Sequence, residues 1–190
     1  MPSAKKTSDQ TIYQLKITLR DIRPPIWRRV QVPNNITLGE LHKIIQLAMG
    51  WYDCHLHEFE IFGKTYGQPM PDFDDLDIQN ERSVRLNQFV TGEKFKFAYL
   101  YDMGDGWDHQ ILVEKVLPAE PDVRYPICIK GKRACPPEDC GGTWGYAELL
   151  ETIGDPQHPE HESMLEWLGG VLEPERFDLE ETNQRLKQIR

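Results

Sequence analysis

The chain has 190 residues, enough to bury a substantial core and few enough for one domain. Its 39% apolar content separates it from disordered sequences, and no run of about 18 apolar residues offers a membrane span. A net charge of −9 weighs against general nucleic-acid binding, because neutralising phosphates needs a surplus of Lys and Arg.

That charge is uneven. Residues 1–50 carry eight Lys/Arg against three Asp/Glu, and residues 51–190 carry fourteen against twenty-eight. A basic edge on an acidic body can steer a partner, although a solvated mixed surface is the plainer account. Residues 1–10 are polar, with Lys5 and Lys6 but no apolar stretch behind them. The reading is a disordered lead-in rather than a signal peptide, and hence a cytoplasmic protein whose four cysteines are thiols or metal ligands.

Residues 13–20 alternate apolar and polar, which predicts a half-buried strand. Pro24-Pro25 breaks it, and residues 26–32 form a second strand with Ile26, Arg28, Val30 and Val32 on one face. Residues 37–49 read as a helix: Thr37 caps it, Glu40 completes a capping box and Gly50 ends it. Its buried stripe is Leu38, Leu41, Ile44, Ile45 and Ala48. A strand follows at 55–62, then an acidic loop at 69–75 and a short strand at 84–86. Residues 95–101 and 107–117 form a hairpin around the Gly/Asp turn at 102–106. The Pro-, Gly- and Cys-rich stretch 118–142 is expected to be irregular. Three helices close the chain, at 143–153, from Pro159 to Gly169-Gly170, and after Asp178 with Glu181 at its third position.

The expected fold is therefore α+β: a twisted mixed or antiparallel sheet crossed by one helix in β-grasp-like order, with a C-terminal cluster of three helices. Residues 11–190 form the single domain, and 143–190 its helical part.

Several motifs resemble the plasmid pRi ORF-three-like family. They are the run 22–30 around Pro24-Pro25-Ile26-Trp27-Arg28-Arg29, the helix with Leu41-His42 and Gly50-Trp51, and His55-Leu56 with Phe59. Tyr101-Asp102, Gly104-Asp105, Trp107 and His109 belong to the pattern, as does Pro136-Pro137-Glu138-Asp139-Cys140-Gly141-Gly142 with Gly145-Tyr146. The likeness spans about residues 12–170. It implies a largely uncharacterised family, some of whose members travel with mobile elements and carry a resolvase label. A serine recombinase needs a nucleophilic Ser at the start of its fold and a basic DNA-binding domain; Ser3 and Ser8 lie in the lead-in, and the chain is acidic.

Strand alternation puts His55 and His57 on the face of Phe59 and Ile61, and His109 on that of Trp107, Ile111 and Val113. With a turn at 102–106, Tyr101 opposes Trp107 and Tyr99 opposes His109. The three imidazoles are then expected at one rim of the sheet beside Asp102 and Asp105. Imidazoles with a carboxylate suit a divalent metal, zinc being the natural choice, and an open coordination position would activate water. The plainer reading has each imidazole bonded to buried backbone or aspartates. Cys128, Cys135 and Cys140 lack the short Cys-x-x-Cys spacing of zinc ribbons, so buried thiols are expected. Gly141-Gly142 at a helix start suits either an anion site or a rigid turn with Glu138 and Asp139. Arg28 is expected to pair with Asp102 or Asp105, or to recognise an anion with Arg23, Lys130, Lys132 and Arg133.

Together these readings predict a binding or interaction module whose ligand surface gathers His55, Asp102, Asp105, Trp107, His109, Glu138, Asp139 and Arg28. The partner is an unknown protein or small molecule. One alternative is a metal-dependent hydrolase using His55, His57 and His109, with Asp105 or Glu138 as ligand or base. The other is a nucleic-acid accessory factor using the basic first fifty residues.

Overall fold

A computed structural model describes residues 10–69 and 77–189; all but the last residue of the polar lead-in, and most of the acidic loop at 69–75, lie outside the described residues. Eight described strands form one mixed sheet: β1 (Thr11–Leu19), β2 (Trp27–Pro33), β3 (His57–Ile61), β4 (Lys64–Gly67), β5 (Ile78–Asn80), β6 (Lys96–Tyr101), β7 (Trp107–Pro118) and β8 (Ile127–Lys132). Their spatial order is β5-β4-β3-β6-β7-β1-β2-β8. Every neighbouring pair is antiparallel except β4 and β5, which run parallel. With the helices this makes an α+β fold.

Alternation decides which face is buried. Leu15, Ile17 and Leu19 of β1, Val30 and Val32 of β2, and Trp107, Ile111 and Val113 of β7 all point inward. Each fully buried aliphatic side chain contributes about 1.5–3 kcal/mol over its exposed state. The opposite face is polar: Gln14, Arg29 and Glu114 hydrogen-bond across three strands, and Lys16 lies over the Trp27 ring.

Helix α1 (Leu38–Met49) covers the inner face. Thr37 and Glu40 form the expected capping box, and Gly50 ends the helix at φ 104°. The anticipated stripe is buried, and so are two polar residues on the same side, His42 and Gln46. Arg28 ties the helix to β2 by donating Nε–H to Ala48 O at 2.9 Å. Helices α2 (Gly142–Gly154) and α3 (His161–Leu168) pack on each other, while α4 (Leu179–Leu186) docks against α1 and β8. Asp178 caps α4 by accepting from Glu181 N–H at 2.9 Å. No helix among the described residues is long and apolar enough to cross a membrane.

Three expectations change. The stretch 118–142 contains β8, an edge strand on β2 whose Ile127-Cys128-Ile129 segment is too short for periodicity to show. The strand at 84–86 is absent: Arg85 makes one isolated bridge to Thr37, and a single 3-10 turn follows at Leu86–Gln88. The strand at 55–62 ends at Ile61, because Phe62 and Gly63 (φ 53° and 71°) reverse the chain into β4.

Candidate functional site

The β6–β7 hairpin has the expected register, with Tyr101 opposite Trp107 and Tyr99 opposite His109. The three imidazoles nevertheless do not meet. His109 is fully buried; its Nδ1 lies 3.3 Å from Tyr99 O, and its ring meets Trp51 edge-on at 5.3 Å between centroids. Its Nε2 has no hydrogen-bond partner among the described residues, and burial pushes its pKa down to about 4. It is a core residue. The strand rule gave its face correctly, but that face lies under the Trp51 indole from the segment after α1. The three-imidazole metal set and the hydrolytic reading built on it lose their geometric basis.

His57 turns instead to His42 of α1. The two rings stack face to face at 3.4 Å, only 4° from parallel. Each Nε2 meets a carboxylate: His42 lies 2.8 Å from Asp53 Oδ1, and His57 lies 2.6 Å from Glu81 Oε2. Two imidazolium rings at that separation would repel by about 5 kcal/mol at an effective dielectric of 20. Burial first, and the neighbouring His57 second, hold the His42 pKa well below its ordinary 6.5.

The hydrogen bonds around His42 close a ring that fixes its proton. Asp53 N–H donates to Gln46 Oε1 at 3.0 Å, which orients the amide so that Gln46 Nε2 donates to the Tyr99 hydroxyl at 3.0 Å. Burial keeps the Tyr99 pKa well above its usual value, so the hydroxyl is protonated and donates to His42 Nδ1 at 2.8 Å. His42 is then neutral with its proton on Nε2, directed at Asp53. Asp53 holds its place at φ 57°, a left-handed conformation that Asp tolerates better than most residues. His42, Asp53, His57 and Glu81 floor a cleft of about 900 Å³ that opens between α1, β3 and the turn after β5. Lys43, Arg82 and Glu58 stand among its rim residues.

A second cluster surrounds His55. Asp139 Oδ1 lies 3.0 Å from His55 Nε2, Asp102 Oδ2 lies 3.6 Å away, and Glu138 Oε2 lies 3.9 Å away. Asp139 sits off the N–H direction, so the contact is close without being an aligned hydrogen bond. Local geometry fixes these carboxylates. Asp102 opens the hairpin turn at φ 59°, where its Oδ1 accepts from Gly104 N–H at 2.9 Å. Glu138 accepts from Tyr52 N–H at 2.9 Å and from the Tyr101 hydroxyl at 3.1 Å. The loop carrying Glu138 and Asp139 is clamped to the hairpin because Asp105 Oδ2 accepts from Gly141 N–H at 3.2 Å. A Cβ on Gly142 would come within 2.4 Å of Asp105 O. The anion at the start of α2 is therefore the protein's own Asp105.

Of the residues singled out in the sequence, the structure gathers His55, Asp102, Glu138 and Asp139, with Asp105 anchoring the loop beside them. Trp107 and His109 lie in the core. Arg28 is also a core residue and pairs with no carboxylate among the described residues: it donates to the carbonyls of Ala48, Trp27 and Lys132, and its guanidinium stacks on Phe177 at 4.4 Å. Backbone acceptors and an aromatic face satisfy it where a buried carboxylate would bring a further desolvation cost. Arg133 is taken up by Glu175 and by the carbonyl of Pro24. No cysteine joins a metal-ligating group among the described residues. Burial raises the Cys140 thiol to about 12 and raises Cys135 as well, which opposes a thiolate nucleophile.

Sequence reasoning missed His42, Gln46, Asp53 and Glu81. His42 and Gln46 were legible, because positions four and eight after Leu38 fall on the buried stripe of α1. Asp53 and Glu81 carry no periodic signal: one follows the helix in an irregular segment and the other sits in the turn after β5.

The comparisons agree with the motifs. In Sinorhizobium fredii, the uncharacterized protein y4hQ is 42% identical over 160 residues, covering 84% of this chain and 81% of its own. The crystal structure of a protein of unknown function, MM3350 from Methanosarcina mazei Go1, superposes with a TM-score of 0.82 at 42% identity, covering 90% of this chain and 97% of that one. The family model described as plasmid pRiA4b ORF-3-like protein matches residues 11–181, and the chain belongs to that family.

Proposed function

We propose that the protein is a binding module, and that its ligand is a small polar molecule held in the cleft over the stacked His42 and His57. The observation that carries this reading is the preorganised polar floor. Four ionisable side chains from α1, the segment after it, β3 and the β5 turn converge at one concave site, each already oriented by a partner. Mutually oriented polar groups need no rearrangement to meet a ligand's donors and acceptors, so the ordering cost on binding is small. Rim charges of both signs favour a ligand with both donors and acceptors over a polyanion. The acidic chain agrees with this, and nucleic acid is not the partner proposed.

The test is a library of small polar fragments screened against the 15N-labelled protein. Binding fragments should shift the amides of Gly39, Lys43, Gly67 and Arg82, which line the cleft, and the shifts should vanish in a Glu81→Gln/His57→Phe variant. Fragments that bind but leave those amides unmoved contradict the reading.

A further inference from the structure

We propose that His55, Asp102 and Asp139, with Glu138 alongside, bind one divalent first-row metal ion of the zinc or manganese class. His55 also lines the wall of the cleft, but this site uses none of the four floor groups His42, Asp53, His57 and Glu81, and its existence does not depend on the cleft taking a ligand. It also differs from the three-imidazole set expected from the sequence, of which it keeps only His55.

The spacing is that of a ligand shell. With metal–ligand bonds of about 2.1 Å, donor atoms in neighbouring coordination positions lie roughly 3.0–3.4 Å apart and opposite ones about 4.2 Å. The three carboxylate oxygens lie 3.0, 3.6 and 3.9 Å from His55 Nε2. The ligand atoms of His55, Asp102 and Asp139 all fall within 4.8 Å of one another. His55 Nε2 is itself enclosed and has no aligned hydrogen-bond partner. A ring nitrogen that aims at none of the surrounding oxygens, yet lies close to all three, is placed to share a cation with them.

Charge points the same way. Among the described residues, no Lys or Arg forms an ion pair with Asp102, Glu138 or Asp139. One imidazole faces three carboxylates. The protein brings them together by spending backbone freedom, since Asp102 and Asp139 both adopt positive φ, 59° and 56°. Asp102 uses Oδ1 on the turn amides, and Oδ2 is the oxygen nearest His55. Glu138 is oriented by Tyr52 N–H and the Tyr101 hydroxyl. Clamping between Asp105 and the Gly141-Gly142 backbone fixes the separation of the two carboxylate-bearing loops. One nitrogen and several carboxylate oxygens without a thiolate suit zinc or manganese rather than a structural thiolate zinc site.

The experiment uses the full chain, stripped with chelator and titrated with ZnCl2 by calorimetry, with metal content measured after dialysis. Wild type should take up one equivalent, and the His55 ring 15N resonances should shift on zinc addition. Asp139→Asn and Asp102→Asn remove charge but keep a residue that tolerates positive φ and can still accept the turn amides. Each should weaken zinc binding by at least about tenfold, a loss seen even for outer-shell partners of a metal. His55→Gln should abolish the uptake. Near-UV circular dichroism verifies the fold of each variant; should Asp102→Asn unfold, Asp139→Asn carries the test, since its side chain is 69% exposed. No saturable uptake by wild type overturns the proposal, as does uptake that survives His55→Gln. Uptake lost instead in His42→Asn and Glu81→Gln also overturns it, by placing the ion on the cleft floor. The fragment screen is run on metal-free protein, so the two readings fail independently.

Discussion

Lowering the pH from 7 to 5 should weaken the fold through His109, and a single substitution isolates the effect. The folded pKa of His109 is about 4, against 6.5 when unfolded, because its fully buried ring has no room for a charge. Between those values the unfolded chain binds the extra proton, so stability rises with pH there and is fully present only above 6.5. Each bound proton contributes a slope of about 1.4 kcal/mol per pH unit, which gives a loss of about 2 kcal/mol between pH 7 and pH 5. The depressed His42 pKa adds a loss of the same sign. His109→Leu removes the titrating group together with an unpartnered buried nitrogen, at nearly constant volume. Its stability at pH 7 should stay within about 1 kcal/mol of wild type, since the lost Tyr99 contact and the relieved orphan nitrogen offset each other. At pH 5 the variant should exceed wild type by about 2 kcal/mol. Urea unfolding at both pH values, followed by tryptophan fluorescence, measures the difference. Parallel losses in the two proteins would refute the assignment.

Gly142→Ala and Gly145→Ala should each cost more than about 2 kcal/mol in thermal or urea unfolding, because their Cβ atoms would meet backbone oxygens at 2.4 and 2.0 Å. Gly154→Ala, whose Cβ meets nothing at the end of α2, should instead be neutral or stabilise by up to about 1 kcal/mol. Arg28→Leu leaves the carbonyls of Ala48, Trp27 and Lys132 without their guanidinium donors, and should cost about 2–4 kcal/mol in the same assay. Arg28→Lys should not restore stability, because a point ammonium cannot reproduce the planar stack on Phe177.

The fold was legible wherever period and punctuation agreed. The alternation of β1 and β2, the capping box and Gly50 of α1, and the hairpin register all follow from residue order alone. β8 and the parallel pairing of β5 did not, because an edge strand with a register shift and a strand of three residues depend on neighbours already in place. The site was half legible for the same reason. Asp102, Asp105, Glu138 and Asp139 stand in turns rich in Gly and Pro, and the same turn chemistry brings Asp102, Glu138 and Asp139 to His55 while Asp105 anchors the loop. Alternation placed His109 on the correct face but carried no information about Trp51, which covers it. His57 met a partner from α1, and polar residues on a helix's buried stripe were the available signal. The carboxylates of Asp53 and Glu81 are positioned by long-range packing that no local pattern records.

The groups of the cleft floor are oriented by one another before any ligand arrives. Long-range 1H–15N correlation spectra of the histidine rings read that orientation directly. At pH 7, His42 should be neutral with its proton on Nε2, and it should keep that pattern when the pH is lowered to 5. An imidazolium spectrum at pH 7, or a proton on Nδ1, would contradict the closed ring through Gln46, Tyr99 and Asp53.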